Sequence, residues 1–114
     1  MLCFNDYKQA ASFIAEKIEG RHPSIGIVLG SGLGALADSI EKPIIIPYKQ
    51  IPAFPVSTAI GHKGNLICGY ISGHCVLAMQ GRFHYYEGYD MQHVTLPIRV
   101  MKLLGIDTLF VSNA

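Results

Sequence analysis

The side chains best suited to chemistry are bunched in one stretch, Gln80-Gly81-Arg82-Phe83-His84-Tyr85-Tyr86-Glu87-Gly88-Tyr89. An arginine guanidinium can grip phosphate oxygens in pairs through its planar fork of N–H donors. His84 follows Arg82 by two positions, which puts both side chains on one side of an extended backbone. Glu87 can orient Arg82, and Tyr86 offers a ring and a hydroxyl to a sugar. The plainer alternative is a surface ion pair of Arg82 with Glu87 beside core tyrosines. So many polar and aromatic side chains together in an otherwise apolar chain favour a site.

Two other stretches suit an anion. The run Ile25-Gly26-Ile27-Val28-Leu29 passes straight into Gly30-Ser31-Gly32-Leu33-Gly34 and then into a helical pattern. A helix start offers unpaired backbone N–H groups, glycines allow close approach, and Ser31 adds a hydroxyl donor. Any tight strand-to-helix turn can also use glycines, so this motif alone leaves both readings open. Gly30, Gly32 and Ala35 also fit the dinucleotide fingerprint. That fingerprint needs an acid about 20 residues further on to hold the ribose. Pro47-Tyr48-Lys49-Gln50 supplies none there, and Asp38 and Glu41 come too early. In Ser57-Thr58-Ala59-Ile60-Gly61-His62-Lys63-Gly64, His62 sits in a glycine-flanked loop, either over a bound anion or incidentally exposed. His74 and His93 read as structural, His22 as a solvated loop residue, and the methionines as core. No His/Cys/carboxylate cluster has metal-ligand spacing, and Gly30-Ser31-Gly32 is not a nucleophile elbow.

These residues need elements to position them. Tyr7, Ala10, Ala11, Ile14 and Ile18 recur at helical spacing, with Asn5 or Asp6 as N-cap and Gly20 as C-cap. Ile25 to Leu29 has no polar alternation, so it reads as a strand buried on both faces. A short helix follows, about Leu33 to Ile40. Ile44 to Ile46 reads as a short strand bracketed by Pro43 and Pro47. Pro52 to Pro55 reads as a rigid connector leading into the exposed loop. Leu66 to Ile71 and His74 to Met79 form a hairpin across Ser72-Gly73. Met91, Val94, Ile98, Met101 and Leu104 form a second helical stripe between Asp90 and Gly105, and Pro97 predicts a kink or a later start. Thr108 to Val111 is a last strand. The order predicts an α/β fold with a mixed, largely parallel sheet flanked by helices.

The composition narrows the partners. The chain has 114 residues, 50% of them apolar and 15% charged, with a net charge of +1. This excludes a disordered chain and argues against a nucleic-acid partner, which needs a clustered basic face. No apolar run is long enough to cross a membrane as a helix. Ordinary domains carry about 25% charged residues, so the deficit suggests surfaces covered by neighbours. The three cysteines, Cys3, Cys68 and Cys75, have no metal spacing. Free thiols are favoured over a Cys68–Cys75 bridge, and with no signal peptide visible the chain reads as cytoplasmic.

Taken together, Gly30-Ser31-Gly32-Leu33-Gly34, Gly61-His62-Lys63-Gly64 and Gln80 to Tyr89 resemble purine nucleoside phosphorylase in its trimeric, low-molecular-weight class. Val111-Ser112-Asn113-Ala114 resembles the same family's strand before a glycine pair. The methylthioadenosine phosphorylases, relatives of that family, differ in the arginine-phenylalanine-histidine segment. The resemblance implies reversible phosphorolysis of purine nucleosides, with inorganic phosphate as co-substrate, no cofactor, and a homotrimer. It implies that Ser31, Arg82, His84 and the backbone N–H of Ala114 hold phosphate, with His62 closing over it. Tyr86 would contact the ribose, and Glu87 would brace Arg82. Family members are well over twice this length. Their base-reading residues fall beyond position 114, and the chain would correspond to the N-terminal part of a single domain whose last strand here is central. The 114 residues alone are accordingly expected to be inactive. A non-catalytic phosphate- or nucleotide-binding module is the other reading that the residues allow.

Overall fold

The computed structural model describes residues 3–29, 34–54, 64–80 and 91–111. Along the chain these form α1 (Phe4–Lys17), β1 (Ile25–Leu29), α2 (Gly34–Asp38), β2 (Glu41–Pro47), a single 3-10 turn (Tyr48–Gln50), β3 (Asn65–Ile71), β4 (His74–Gln80), α3 (Met91–Leu103) and β5 (Thr108–Val111). The five strands make one sheet in the order β2-β3-β4-β1-β5. β1 pairs in parallel with both β4 and β5, while β3 is antiparallel to β2 and β4. Only β3 therefore runs against the others, and the expected mixed, largely parallel sheet is found. The unalternating β1 lies inside it, as a strand of that pattern should.

Register assigns the side chains to two faces. On one face lie Ile46, Leu66, Met79 and Val28 in one row, with Ile44, Cys68 and Leu77 in the next. α1 and α3 pack on each other and on this face, adding Tyr7, Ala10, Ile14 and Ile18 from one side and Leu96, Val100 and Met101 from the other. On the opposite face, among the described residues, Ile67 and Ala78 form a small buried cluster with Ala37 and Ile40, with Ile27, Leu36 and Ile71 partly buried around them.

Several local expectations need correcting. The N-cap of α1 is Cys3, not Asn5 or Asp6. Asp6 serves from three residues inside, where its Oδ2 accepts the Cys3 N–H at 2.9 Å, the returning half of a capping box. α1 ends at Lys17 with Ile18 as C-cap, so Gly20, at φ 80° after Glu19 at φ 57°, completes the reversal rather than capping. α2 is shorter than the expected Leu33 to Ile40. Ser39 Oγ donates to the Leu36 carbonyl at 2.7 Å, so a side chain competes for backbone where the helix stops. β2 extends through both flanking prolines. It tolerates them because, among the described residues, it is an edge strand, with a register irregularity between Glu41 and Ile44 beside Pro43. α3 begins at Met91 and runs through Pro97, so the later start does not occur. Its end is a Schellman motif, with the Gly105 N–H on the Lys102 carbonyl at 3.1 Å and the Ile106 N–H on the Met101 carbonyl at 3.2 Å.

The Ser72-Gly73 hairpin is as expected. Both residues take positive φ, 50° and 81°, as a type I′ turn requires. β5, expected to be central, sits at the edge of this sheet, because β1 is its one strand partner among the described residues. All four of its residues are exposed. His22 is exposed as expected, whereas His74, expected to be structural, is also exposed at the start of β4. Cys3, Cys68 and Cys75 are free thiols.

Candidate functional site

Parallel strands bring their carboxyl ends to one edge, and open α/β sheets bind ligands beyond that edge. Here Leu29 pairs with Gln80, Val28 with Val111, and Gln80 with Asn65. The last residues of β1 and β4, the last residue of β5 and the first of β3 thus sit on neighbouring strands. At roughly 4.8 Å per strand the four span about 15 Å. Asn65 Nδ2 donates to Gln80 Oε1 at 3.1 Å, tying β3 to β4 at this edge.

The sequence-predicted residues attach at these four points. Ser31 follows the end of β1 by two positions. Arg82, His84, Tyr86 and Glu87 follow the end of β4, Ala114 follows the end of β5, and His62 precedes the start of β3. All seven lie outside the described residues, so what the structure supplies is the common edge from which their segments depart.

Asn65, which the sequence reading did not single out, and Gln80, read there only as the start of the Arg82 stretch, matter at this edge. Asn65 and Gln80 end apolar strands with hydrogen-bonding amides, and that abrupt change from apolar to amide was the available signal. Tyr48 lies at the same edge, one residue past the Pro47–Asn65 pair. It is 2% exposed, and burial pushes its hydroxyl well above the ordinary tyrosine range.

The other shifted group lies deeper in the sheet. Burial, reinforced by the neighbouring Cys75 thiol and opposed by Arg21, pushes the Cys68 thiol up to about 12. Arg21 donates to the Lys42 carbonyl at 2.7 Å and the Cys68 carbonyl at 3.2 Å, and it lies 5.1 Å from the Tyr70 ring centroid. A cation so engaged joins the α1–β1 connection to β2 and β3, away from the candidate edge. Among the described residues no three His, Cys, Asp or Glu side chains cluster as metal ligands. No helix among them is long and apolar enough to cross a membrane.

Beyond this edge geometry, the sequence pattern of the phosphorylase superfamily matches residues 24–114. The chain belongs to that superfamily. It is 58% identical over 107 residues to purine nucleoside phosphorylase 1 of Geobacillus stearothermophilus, covering 94% of this chain and 39% of that protein. The purine nucleoside phosphorylase of Schistosoma mansoni in complex with acetate superposes with a TM-score of 0.90 at 53% identity, covering 97% of this chain and 40% of that one. The same organism's enzyme in complex with inosine gives a TM-score of 0.88 at 51% identity, covering 97% and 38%. The chain thus spans about two-fifths of the length of the relatives it matches.

Proposed function

We propose that the protein is a purine nucleoside phosphorylase, a pentosyltransferase of purine salvage. It would cleave purine ribo- and deoxyribonucleosides reversibly to free base and pentose 1-phosphate. The observation that carries this reading is the adjacency of Leu29, Gln80, Asn65 and the end of β5 on one sheet edge. That adjacency starts all four phosphate-suited segments from one place. In the reaction a phosphate oxygen bonds to the anomeric carbon as the C–N bond breaks, its electron pair leaving with the base.

Ser31, Arg82, His84 and the Ala114 N–H hold the phosphate, and His62 caps it. Tyr86 contacts the ribose, and Glu87 braces Arg82. Stripped of water, the dianion is oriented by charge-assisted hydrogen bonds worth about 1.5–3 kcal/mol each. The same dianion stabilises the positive charge that develops on the sugar. Much of the rate then comes from orientation. Phosphate enters as co-substrate and no cofactor is invoked. The 114 residues form the N-terminal part of one domain of a cytoplasmic homotrimer. The exposed apolar side chains of Phe4, Leu103 and Phe110 support the covered surfaces that such an assembly needs. The 114-residue chain alone carries the phosphate-holding half of the site and turns nothing over.

Phosphate-dependent cleavage of inosine tests the reading in the protein that contains the base-reading residues. Arg82→Ala should lower kcat/KM for phosphate by about 10- to 100-fold, the loss of one charged hydrogen-bonding group. An unchanged phosphate dependence would count against the assignment.

A further inference from the structure

We infer that Cys68 and Cys75 are a thiol–disulfide exchange pair, in which Cys75 takes up a small-molecule disulfide and Cys68 resolves it into a bridge between β3 and β4. The pair lies within the hairpin and stands apart from the phosphate-site reading above. Register opposes Cys68 to Leu77 and Tyr70 to Cys75. Residues two apart on a strand share a face, so these four side chains form a square with the cysteines on one diagonal. Ile71 and His74 close the two-residue turn as a hydrogen-bonded pair. Tyr70–Cys75 and Cys68–Leu77 are then non-hydrogen-bonded pairs, the kind whose side chains stand closer. Strand twist shortens one diagonal of such a square and lengthens the other. The cysteines occupy the shortened one, because the Cys68 S–H donates to the Cys75 sulfur.

The two thiols differ in the way that exchange requires. Cys68 has no exposure and lies in the main core. Cys75 is half-buried and packs against that core from its margin. A dissolved disulfide therefore meets Cys75 first. The Cys75 thiolate attacks one sulfur of glutathione disulfide, the S–S bond breaks, and one glutathione leaves and takes up a proton. Cys68 then gives up its proton and attacks the Cys75 sulfur, and the second glutathione leaves carrying that proton. Two protein thiols are oxidised and one small disulfide is reduced to two thiols. Burial keeps the Cys68 thiol protonated, up to about 12, so it does not take the oxidant itself. The Arg21 guanidinium, which bonds both the Cys68 sulfur and its carbonyl, favours the thiolate that the second step needs.

Two core cysteines that merely touch would react separately or not at all. Trypsin separates these readings, since residues 64–82 contain both cysteines and no lysine or arginine before Arg82. The folded protein is incubated with glutathione disulfide, quenched with N-ethylmaleimide, digested without reductant and weighed by mass spectrometry. We expect peptide 64–82 to lose two hydrogens and carry neither glutathione nor maleimide. Cys3, an exposed thiol on a separate peptide, should keep its glutathione. Cys68→Ala should stop at a stable Cys75 mixed disulfide, and Cys68→Val serves if the alanine variant fails to fold. Cys75→Ser should leave Cys68 unmodified. A wild-type mixed disulfide that persists at Cys75 overturns the resolving role of Cys68. A Cys75 that takes no glutathione in Cys68→Ala, or a Cys68 that takes it in Cys75→Ser, overturns the order of attack and the pair with it.

Discussion

The two faces of the sheet are covered very differently. On the face beneath α1 and α3, Leu77, Cys68, Leu66 and Met79 are sealed by apolar side chains from both helices and from Tyr48, Ile51 and Phe54. On the other, the row Ile45–Ile67–Ala78–Ile27–Phe110 is covered, among the described residues, at its centre by α2 and Ile40. Ile45 and Phe110, at its two ends, are 58% and 60% exposed. The difference locates the charge deficit. The chain is poor in charge where β5 and the ends of this row carry apolar side chains that an ordinary free surface would replace with polar ones. One face thus has a large core, while the other has a small buried centre between exposed apolar ends.

Equivalent truncations on the two faces put this contrast at risk. Leu77→Ala deletes a side chain with no exposure from the middle of the thick face, and about 4–5 kcal/mol should be lost. Ile67→Ala removes a similar volume from the thin face, where α2 is short and free to settle, and about 2–3 kcal/mol should be lost. Chemical denaturation of both variants measures the pair, and equal losses would break the comparison. Gly69→Ala, also on the thin face, sharpens it. A Cβ there would collide with the Ile40 side chain and lie 2.7 Å from the Glu41 carbonyl. Overpacking of this kind costs about 1–3 kcal/mol. A neutral result would show that the α2–β2 connection floats above the sheet rather than resting on β3.

How much of this was legible in the sequence depended on whether the signal was local. The unbroken apolar run of β1 gave its place between parallel neighbours, and Ser72-Gly73 gave the hairpin, because both depend on the residues themselves. β2 was read too short because Pro43 and Pro47 remove ladder donors, a loss that matters only to strands paired on both sides. Whether a strand is an edge is a tertiary fact. The start of α1 was misread for a similar reason: Asp6 looked like a cap, and whether a carboxylate caps from the first position or reaches back from the third is settled by where Phe4 turns. For the site, strand order sets the described strand ends Leu29, Gln80, Val111 and Asn65 on one edge, which no local signal in the sequence gives. The contacts of Tyr48 with Gly64 and Phe54 were not legible, since they depend on the path of the intervening turn.

Alkaline stability tests the thick face through its one shifted thiol. The Cys68 thiol is held up to about 12 against an ordinary value of 9.0. The folded state therefore keeps a proton that the unfolded chain begins to release near pH 9. The stability this proton confers is complete below pH 9 and is lost as pH rises toward 12. Tyr48, buried and raised as well, adds to the loss above pH 10. In Cys68→Ala, overall stability drops, but the slope of stability against pH between 9 and 12 should be shallower than in the wild type. Parallel slopes in urea titrations across that range would mean that the thiol is not sealed, and that the thick face is more open than its packing indicates.

The smallest effect on stability belongs to the open end of the thin face, and it separates stability from association. Phe110→Lys replaces a side chain that is 60% exposed on β5, so folding should change by no more than about 0.5 kcal/mol. Its effect on self-association should be much larger. β5 presents an unpaired edge among the described residues, flanked by Leu109 and Val111, which are 40% and 52% exposed, and it has no proline or charge of its own. Such an edge recruits other strands. β2, the opposite edge, carries Lys42, Pro43 and Pro47 and is protected by them. Light scattering of the 114-residue chain should therefore show concentration-dependent association that Phe110→Lys reduces and Ile45→Lys, on the proline-guarded edge, leaves nearly unchanged. If the two lysines act alike, exposed apolar area drives association wherever it lies. If only the β5 substitution acts, the open backbone edge is the cause, and the apolar side chains merely accompany it.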